Sequence, residues 1–378
     1  MPARLDTVLI KTASRCNLDC TYCYVYQGED TSWKNQPKKM SKDTIDVLVD
    51  RLIEQSINQD VGFAIVLHGG EPLLIGFERM QYLLTSLRKN LNSLNYPISL
   101  QTNGVLLTNP FLDLFSEMKV SVSVSIDGDK IANDISRITR TGKSSFDDTV
   151  KGIKLLKSHH DNEFLFAGTL SVIQPNISPK DIYLFLKSLG TPSMDFLFQD
   201  GNYNKLPIGK YSFESTEYGQ WMKGMLDMYL SDPEPVKIPC IDDILRLTMG
   251  GDSIKEGKGD SEFGILIVET DGEIRKNDTL RLSYDGADFF KTRDSVRDID
   301  FQTVIDSEEF QYVSSMQKPT SDNCLNCSVK DICGGGMPLY RWSDENGYNN
   351  PSVFCNDHYY FIESVKNTLN TSGGSYVS

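Results

Sequence analysis

From residue 6 to about residue 200 the chain alternates short apolar or β-branched runs with longer stretches whose apolar positions recur at helical spacing. The short runs predict strands at Thr7–Lys11, Phe63–Leu67, Ile98–Thr102, Val120–Ile126, Phe164–Val172 and Met194–Phe198. The amphipathic stretches predict helices at Lys42–Gln59, Phe77–Leu91, Pro110–Met118, Ser145–His159 and Pro179–Leu189. Strands alternating with helices argue for a parallel sheet with right-handed crossovers. Six repeats fall short of the eight of a closed barrel. The expected fold class is therefore α/β, an open partial (β/α)6 barrel with functional residues at the C-terminal strand ends.

After Asp200 the pattern changes. GNYNKLPIGK reads as a loop, a helical stretch follows from about Ser215 to Leu230, and PEPVKIP reads as a connector. A helix-like segment from Cys240 and a Gly-rich stretch precede ILIVETDGEIR, whose alternation about a central Asp-Gly fits a β-hairpin. The segment NCLNCSVKDICGGGMPLYRW has too little apolar content to hold itself together, so a metal cluster is its simplest organiser. The expected division is a barrel over residues 1–232, a loop-rich cysteine-bearing extension over 233–368 and a frayed tail over 369–378.

Composition narrows the class. With 39% hydrophobic and 24% charged residues in 378, the chain can bury a large core, which excludes disorder. No apolar run is long enough to span a membrane, and MPARLDTVLIK lacks the pattern of a signal peptide, so a cytoplasmic location is expected. A net charge of -14, without a concentrated basic run, disfavours nucleic acid and anionic lipid.

Eight cysteines in a chain without an export signal favour metal ligation over disulfides. Cys16, Cys20 and Cys23 are spaced C-x3-C-x2-C directly after the first strand. Three thiolates on one loop can hold three irons of a cubane, leaving the fourth open to chelation by an amine and a carboxylate. A structural zinc would need a fourth protein ligand, and the nearest histidine, His68, is distant in sequence. Cys324, Cys327, Cys333 and Cys355 supply a closed set of four, which suits a 4Fe–4S cluster or a zinc ribbon. Cys240 stands alone and reads as a small buried apolar residue.

CNLDCTYC after the first strand, with further motifs at successive strand ends, resembles the radical S-adenosylmethionine enzymes. His68-Gly69-Gly70-Glu71-Pro72 is similar to that family's GGEP motif, whose backbone and carboxylate meet the methionine amino group. The resemblance assigns Asn103, Ser125 and Asp127 to ribose and carboxylate contacts, Arg137, or its neighbour Arg140, to the methionine carboxylate, and Tyr22 to the adenine. The second cysteine set resembles the SPASM extension of peptide-modifying members, which holds two auxiliary clusters. Two of those cysteine positions are Asn277 and Met337 here, so one auxiliary cluster is expected and no inner one. Asp278 matches the residue that takes a substrate proton in sulfatase-maturing relatives.

MDFLFQDGNYNKLPIGK, VETDGEIRKNDTLR and CGGGMPLYRW through NPSVFCNDHYYF are similar to maturases that install cyclophane crosslinks in ribosomally made peptides. That resemblance implies joining an aromatic side-chain carbon to the Cβ of a residue two positions further on. It implies S-adenosylmethionine, one radical 4Fe–4S cluster, one auxiliary 4Fe–4S cluster, a precursor peptide, and a reducing donor of flavodoxin or ferredoxin type. The deoxyadenosyl radical would take a Cβ hydrogen; the carbon radical would add to the ring, and loss of an electron and of a proton, to Asp278, would restore aromaticity. Because the chain begins with its first strand, leader recognition is expected at the barrel mouth, a strand edge or another protein. Two other readings stand: a sulfatase-type, epimerising or thioether-forming peptide enzyme, and a non-enzymatic iron–sulfur or zinc redox sensor.

Overall fold

The computed structural model describes residues 4–28, 30–253, 256–260 and 264–371. Contacts divide the chain into two units, one of residues 1–126, 133–170 and 263–314, the other of 127–132, 171–262 and 315–378.

The first unit is an α/β layer. Strands β1 (Thr7–Ala13), β2 (Ala64–Gly69), β3 (Ile98–Thr102), β4 (Val120–Ser125) and most of β5 (Phe166–Val172) are linked through helices α1 (Lys42–Asn58), α2 (Phe77–Asn90), α3 (Asn109–Glu117), part of α4 (Lys130–Ser136), α5 (Phe146–Ser158) and the short α6 (Asn162–Leu165). Neighbours from β1 to β5 pair in parallel. The expected hairpin forms as β7 (Ile265–Val268) and β8 (Ile274–Arg275), antiparallel to each other. Its first strand adds in parallel to β1, so the run in this unit is β5-β4-β3-β2-β1-β7-β8. Local alternation identified the hairpin but carries no information on which strand it joins.

Two faces follow from the period of two. Val8 and Ile10, Ile65 and Leu67, and Val120, Val122 and Val124 are sealed from solvent on one face. The opposite face carries Lys11, His68, Gln101, Ser123 and Ser125, with Lys11 opposite His68 and Gln101 opposite Ser123 in register. The VSVSVS sequence of β4 thus separates core from site in one strand.

Helix ends follow capping chemistry. Ser41 accepts the Thr44 N–H at the start of α1, and Leu91, not part of the helix as expected, ends α2 in extended backbone. β5 starts two residues later than expected because 162–165 turn into α6. Helix α4 was not expected, its KIANDIS sequence being short and weakly periodic.

The second unit contains α7 (Pro179–Ser188), β6 (Met194–Leu197), α8 (Glu217–Ser231), α9 (Pro239–Thr248), α12 (Asp322–Leu325), α13 (Lys330–Cys333) and α14 (Cys355–Thr371), while α10 (Phe301–Asp306) and most of α11 (Glu308–Ser315) belong to the first. Asp357 of α14 accepts the Gly219 N–H of α8 at 2.8 Å and pairs with the buried ammonium of Lys210 at 2.6 Å. Helix α14 continues to Thr371, beyond the start of the expected tail at residue 369; residues 372–378 lie outside the described residues. Among the described residues no helix is long and apolar enough to cross a membrane.

Candidate functional site

The chain leaves β1 into the first cysteine loop. The Leu18 N–H donates to Cys16 Sγ at 3.3 Å. Burial pushes the Cys16 thiol up to about 12; the Leu18 N–H opposes this, while the charges of Glu71, Cys20 and Cys23 add to it. Burial also raises Cys23. The charges of Cys20 and Cys23 thus discourage ionisation of Cys16, a conflict that shared cationic iron relieves. Among the described residues no three His, Cys, Asp or Glu side chains converge tightly enough to grip a single ion. The donor set, three thiols of one loop, fits the open-cornered iron–sulfur cluster.

At the end of β2 the Gly-Gly pair runs against this loop. Gly69 has φ of 145°, and a Cβ there would lie 2.2 Å from the Ala13 carbonyl oxygen; one on Gly70 would lie 1.8 Å from Tyr26 Oη and 2.5 Å from the Arg15 carbonyl. Without side chains the segment threads close enough for the Gly70 N–H to reach Ala13 O at 2.9 Å and the Glu71 N–H to reach Arg15 O at 3.0 Å. Glu71 is buried, and its carboxylate accepts from the Thr102 hydroxyl at 2.7 Å and the N–H groups of Asn103 at 2.9 Å and Leu73 at 3.1 Å. Burial raises its pKa, against these donors and Arg137.

Asn103 continues the chain of contacts, donating to Asn17 Oδ1 at 2.8 Å and lying 3.8 Å from Cys16 Sγ. Arg137 is buried and donates from Nη1 to the Tyr22 hydroxyl at 2.8 Å, whereas Arg140 is exposed. Ser125 accepts from Gln101 at 2.7 Å. Glu71, Asn103, Arg137 and Tyr22 thus gather around the cysteine loop. Asp127 lies in the second unit, where its carboxylate accepts the Val172 N–H at 3.1 Å.

Asp278 opens the turn after β8 and is held by three partners. Its carboxylate pairs with the buried Lys11 ammonium, accepts from the Tyr24 hydroxyl at 2.8 Å and pairs with Arg281 at 2.6 Å. Burial alone would raise its pKa; Arg281 and Lys11 overcome burial and hold the carboxyl below its usual range. Arg281 also reaches Asp288 at 2.9 Å and Glu269 at 3.2 Å, so these buried charges form one network. His68, register partner of Lys11, has its pKa lowered to about 4 by burial and by Lys11, so the imidazole is neutral near pH 7. Lys11, Tyr24 and Arg281 were not anticipated from sequence; the one available signal was a lysine inside an apolar strand.

Asn277, one of the positions where the SPASM pattern would have a cysteine, uses its carboxamide locally, accepting from the Thr279 N–H at 3.0 Å and hydroxyl at 2.9 Å to cap the turn that holds Asp278. In the second unit, burial pushes Cys333 up to about 12, with the Cys355, Cys324 and Cys327 charges adding. Cys355 is likewise pushed up to about 11, by burial and then by Cys324 and Cys327. Those four thiols share one electrostatic environment, as a closed cluster ligand set requires. Cys240 is buried at the start of α9, and Met337 caps a separate 3-10 turn.

Residues 10–189 match the model of the Radical SAM superfamily. Cys16, Cys20 and Cys23 would hold one iron–sulfur cluster, and Cys324, Cys327, Cys333 and Cys355 a second. The chain is 26% identical over 367 residues to a cysteine-type anaerobic sulfatase-maturating enzyme of Clostridium perfringens, covering 94% of this chain and 95% of that one. The fold matches native anSMEcpe with bound AdoMet and Cp18Cys peptide at a TM-score of 0.82 and 23% identity, over 97% of this chain and 99% of that chain. It matches Streptococcus suis SuiB bound to precursor peptide SuiA at a TM-score of 0.61 and 12% identity, over 89% and 72% of the two chains.

Proposed function

We propose that this protein is a radical S-adenosylmethionine maturase that removes a hydrogen atom from the Cβ of a residue in a ribosomally made peptide and oxidises the resulting carbon radical. The observation that carries the reading is the convergence of Glu71, Asn103, Arg137 and Tyr22 on the loop of Cys16, Cys20 and Cys23. When bound, the cluster and S-adenosylmethionine supply a carbon-centred oxidant strong enough to break an unactivated C–H bond.

The chain's own groups do the rest. The carboxylate of Glu71 and the glycine backbone before it would hold the amino group of the cofactor, Arg137 its carboxylate, Tyr22 its adenine, and Asn103 and Ser125 its ribose and carboxylate. Asp278 takes the proton that leaves when the substrate radical loses its electron. Its depressed pKa makes it a weak base, and a weak base suffices because a one-electron-oxidised carbon centre is itself a strong acid. Cys324, Cys327, Cys333 and Cys355 would hold an auxiliary cluster, which would supply a one-electron acceptor, and a flavodoxin or ferredoxin type donor would supply the reducing electron.

The finer reading is cyclophane formation, an aromatic carbon joined to Cβ two residues away, supported by the Asn277 and Met337 replacements. A second reading, formylglycine formation, is favoured by the whole-length likeness to a sulfatase-maturating enzyme. Mass spectrometry of peptides offered to the reduced enzyme separates them. A crosslink loses two hydrogens and yields no carbonyl; a formylglycine reacts with a hydrazide probe. An unmodified peptide with active cleavage of S-adenosylmethionine contradicts both.

A further inference from the structure

The second unit encloses a mostly apolar cavity of about 150 Å3, walled by Phe196, Phe198, Tyr340, Phe361, Cys240 and Met337, with Asp195, Glu256 and Lys258 also in its lining. Of the four outer cysteines its lining includes Cys333 alone, so it is a space beside that ligand set and not the set's own seat. Leu197, 46% exposed, lies at its rim. Among the described residues that line it, His358 has a buried Nε2 with no hydrogen-bond partner. The His358 ring stacks on Phe198, with centroids 5.2 Å apart and planes 10° from parallel, which fixes its orientation. Burial, with Lys258 and Lys210 adding, lowers its pKa to about 3, so the ring is neutral.

Two constraints select the occupant. A space of about 150 Å3 accepts a single six-membered aromatic ring, and the aromatic side chains of its wall favour one. A neutral imidazole nitrogen left bare in such a space is costly unless it meets a hydrogen-bonding group. A phenol satisfies both, because its ring packs among the aromatic walls and its hydroxyl can donate or accept, matching either tautomer of His358.

We propose that this cavity is a binding site for one phenolic ring, with its hydroxyl on His358 Nε2, and that the ring is a tyrosine side chain of the peptide substrate. The tyrosine source rests on the peptide-maturase reading; the phenol site does not.

The test is calorimetric titration of the reconstituted holoenzyme with p-cresol and with toluene. Saturable p-cresol binding about tenfold tighter than toluene is expected, the value of one hydrogen bond. His358→Phe, with its iron content intact, removes that preference, and His358→Gln restores part of it. Absence of saturable p-cresol binding, or a preference that survives His358→Phe, overturns the site. For the source, p-cresol raises the KM of a tyrosine-containing peptide and leaves that of its Tyr-to-Leu counterpart unchanged. Equal effects on both peptides overturn the tyrosine assignment while leaving a site for a free phenol. Failure of the peptide reading itself is seen separately, as p-cresol binding with no peptide modified.

Discussion

The Tyr24 hydroxyl donates to Asp278 across 2.8 Å, joining the residue after the third cysteine of the first loop to the turn after the hairpin, 254 positions along the chain. Burial and the Asp278 charge hold the Tyr24 pKa well above its ordinary value, so the phenol remains a donor and the carboxylate remains an anion. The proposed base and the proposed radical cluster are thus mechanically linked within one unit.

Replacing Asp278 tests the base. Asp278→Asn lowers peptide modification by about a hundredfold while cleavage of S-adenosylmethionine continues, because removal of a general base slows proton loss and not radical generation. The same change strands the Lys11 and Arg281 charges and costs about 3–5 kcal/mol of stability, read as a lower melting temperature. Crosslinking at the wild-type rate in this variant, with a Cys16 variant inactive, removes Asp278 from the mechanism.

Arg137 and Arg140 are separated by a binding measurement. Arg137→Met weakens S-adenosylmethionine by about ten- to a hundredfold, the loss of a charged hydrogen bond, whereas Arg140→Ala leaves titrations unchanged.

Gly70 has no room for a side chain. Gly70→Ala pushes a methyl into Tyr26 Oη and the Arg15 carbonyl, displacing the cysteine loop. The expected outcome is loss of about four irons on reconstitution, as one cluster contains, with the outer cluster retained.

The outer ligand set is tested by Cys355→Ala, which removes about four irons and stops peptide oxidation while S-adenosylmethionine is still cleaved. Cys240→Ala leaves the iron content unchanged, because Cys240 belongs to neither cysteine set.

Acid sensitivity has a defined direction. Burial lowers His68 to about 4 and His358 to about 3, so the fold holds both neutral while the unfolded chain protonates them near pH 6.5. Between those values the unfolded state binds more protons, so stability is complete above about pH 6.5 and falls as the pH drops toward 4. Asp278, with its depressed pKa, adds stability present above about pH 4 and lost below it. Thermal melts from pH 7 to 5 show a falling midpoint, and His358→Phe falls less.

Sequence periodicity located every strand from β1 to β6 because each is a short apolar run bounded by helices of clear 3.6 period. The cysteine loop and GGEP segment were legible because their chemistry depends on local spacing. The charge network was not. Lys11 and Asp278 are 267 positions apart and meet because β7 adds to β1, a pairing choice that no local pattern encodes. Asn277 was read as a missing ligand, and its positive role, capping the turn that holds Asp278, emerged from hydrogen-bond geometry.

Iron and acid-labile sulfide, counted on anaerobically reconstituted protein beside a variant with Cys16, Cys20 and Cys23 replaced by alanine, test the central claim most directly. The account predicts about eight irons falling to about four, one radical and one auxiliary cluster. About twelve irons would contradict the single auxiliary cluster, and stoichiometric zinc with little iron would contradict the radical chemistry itself.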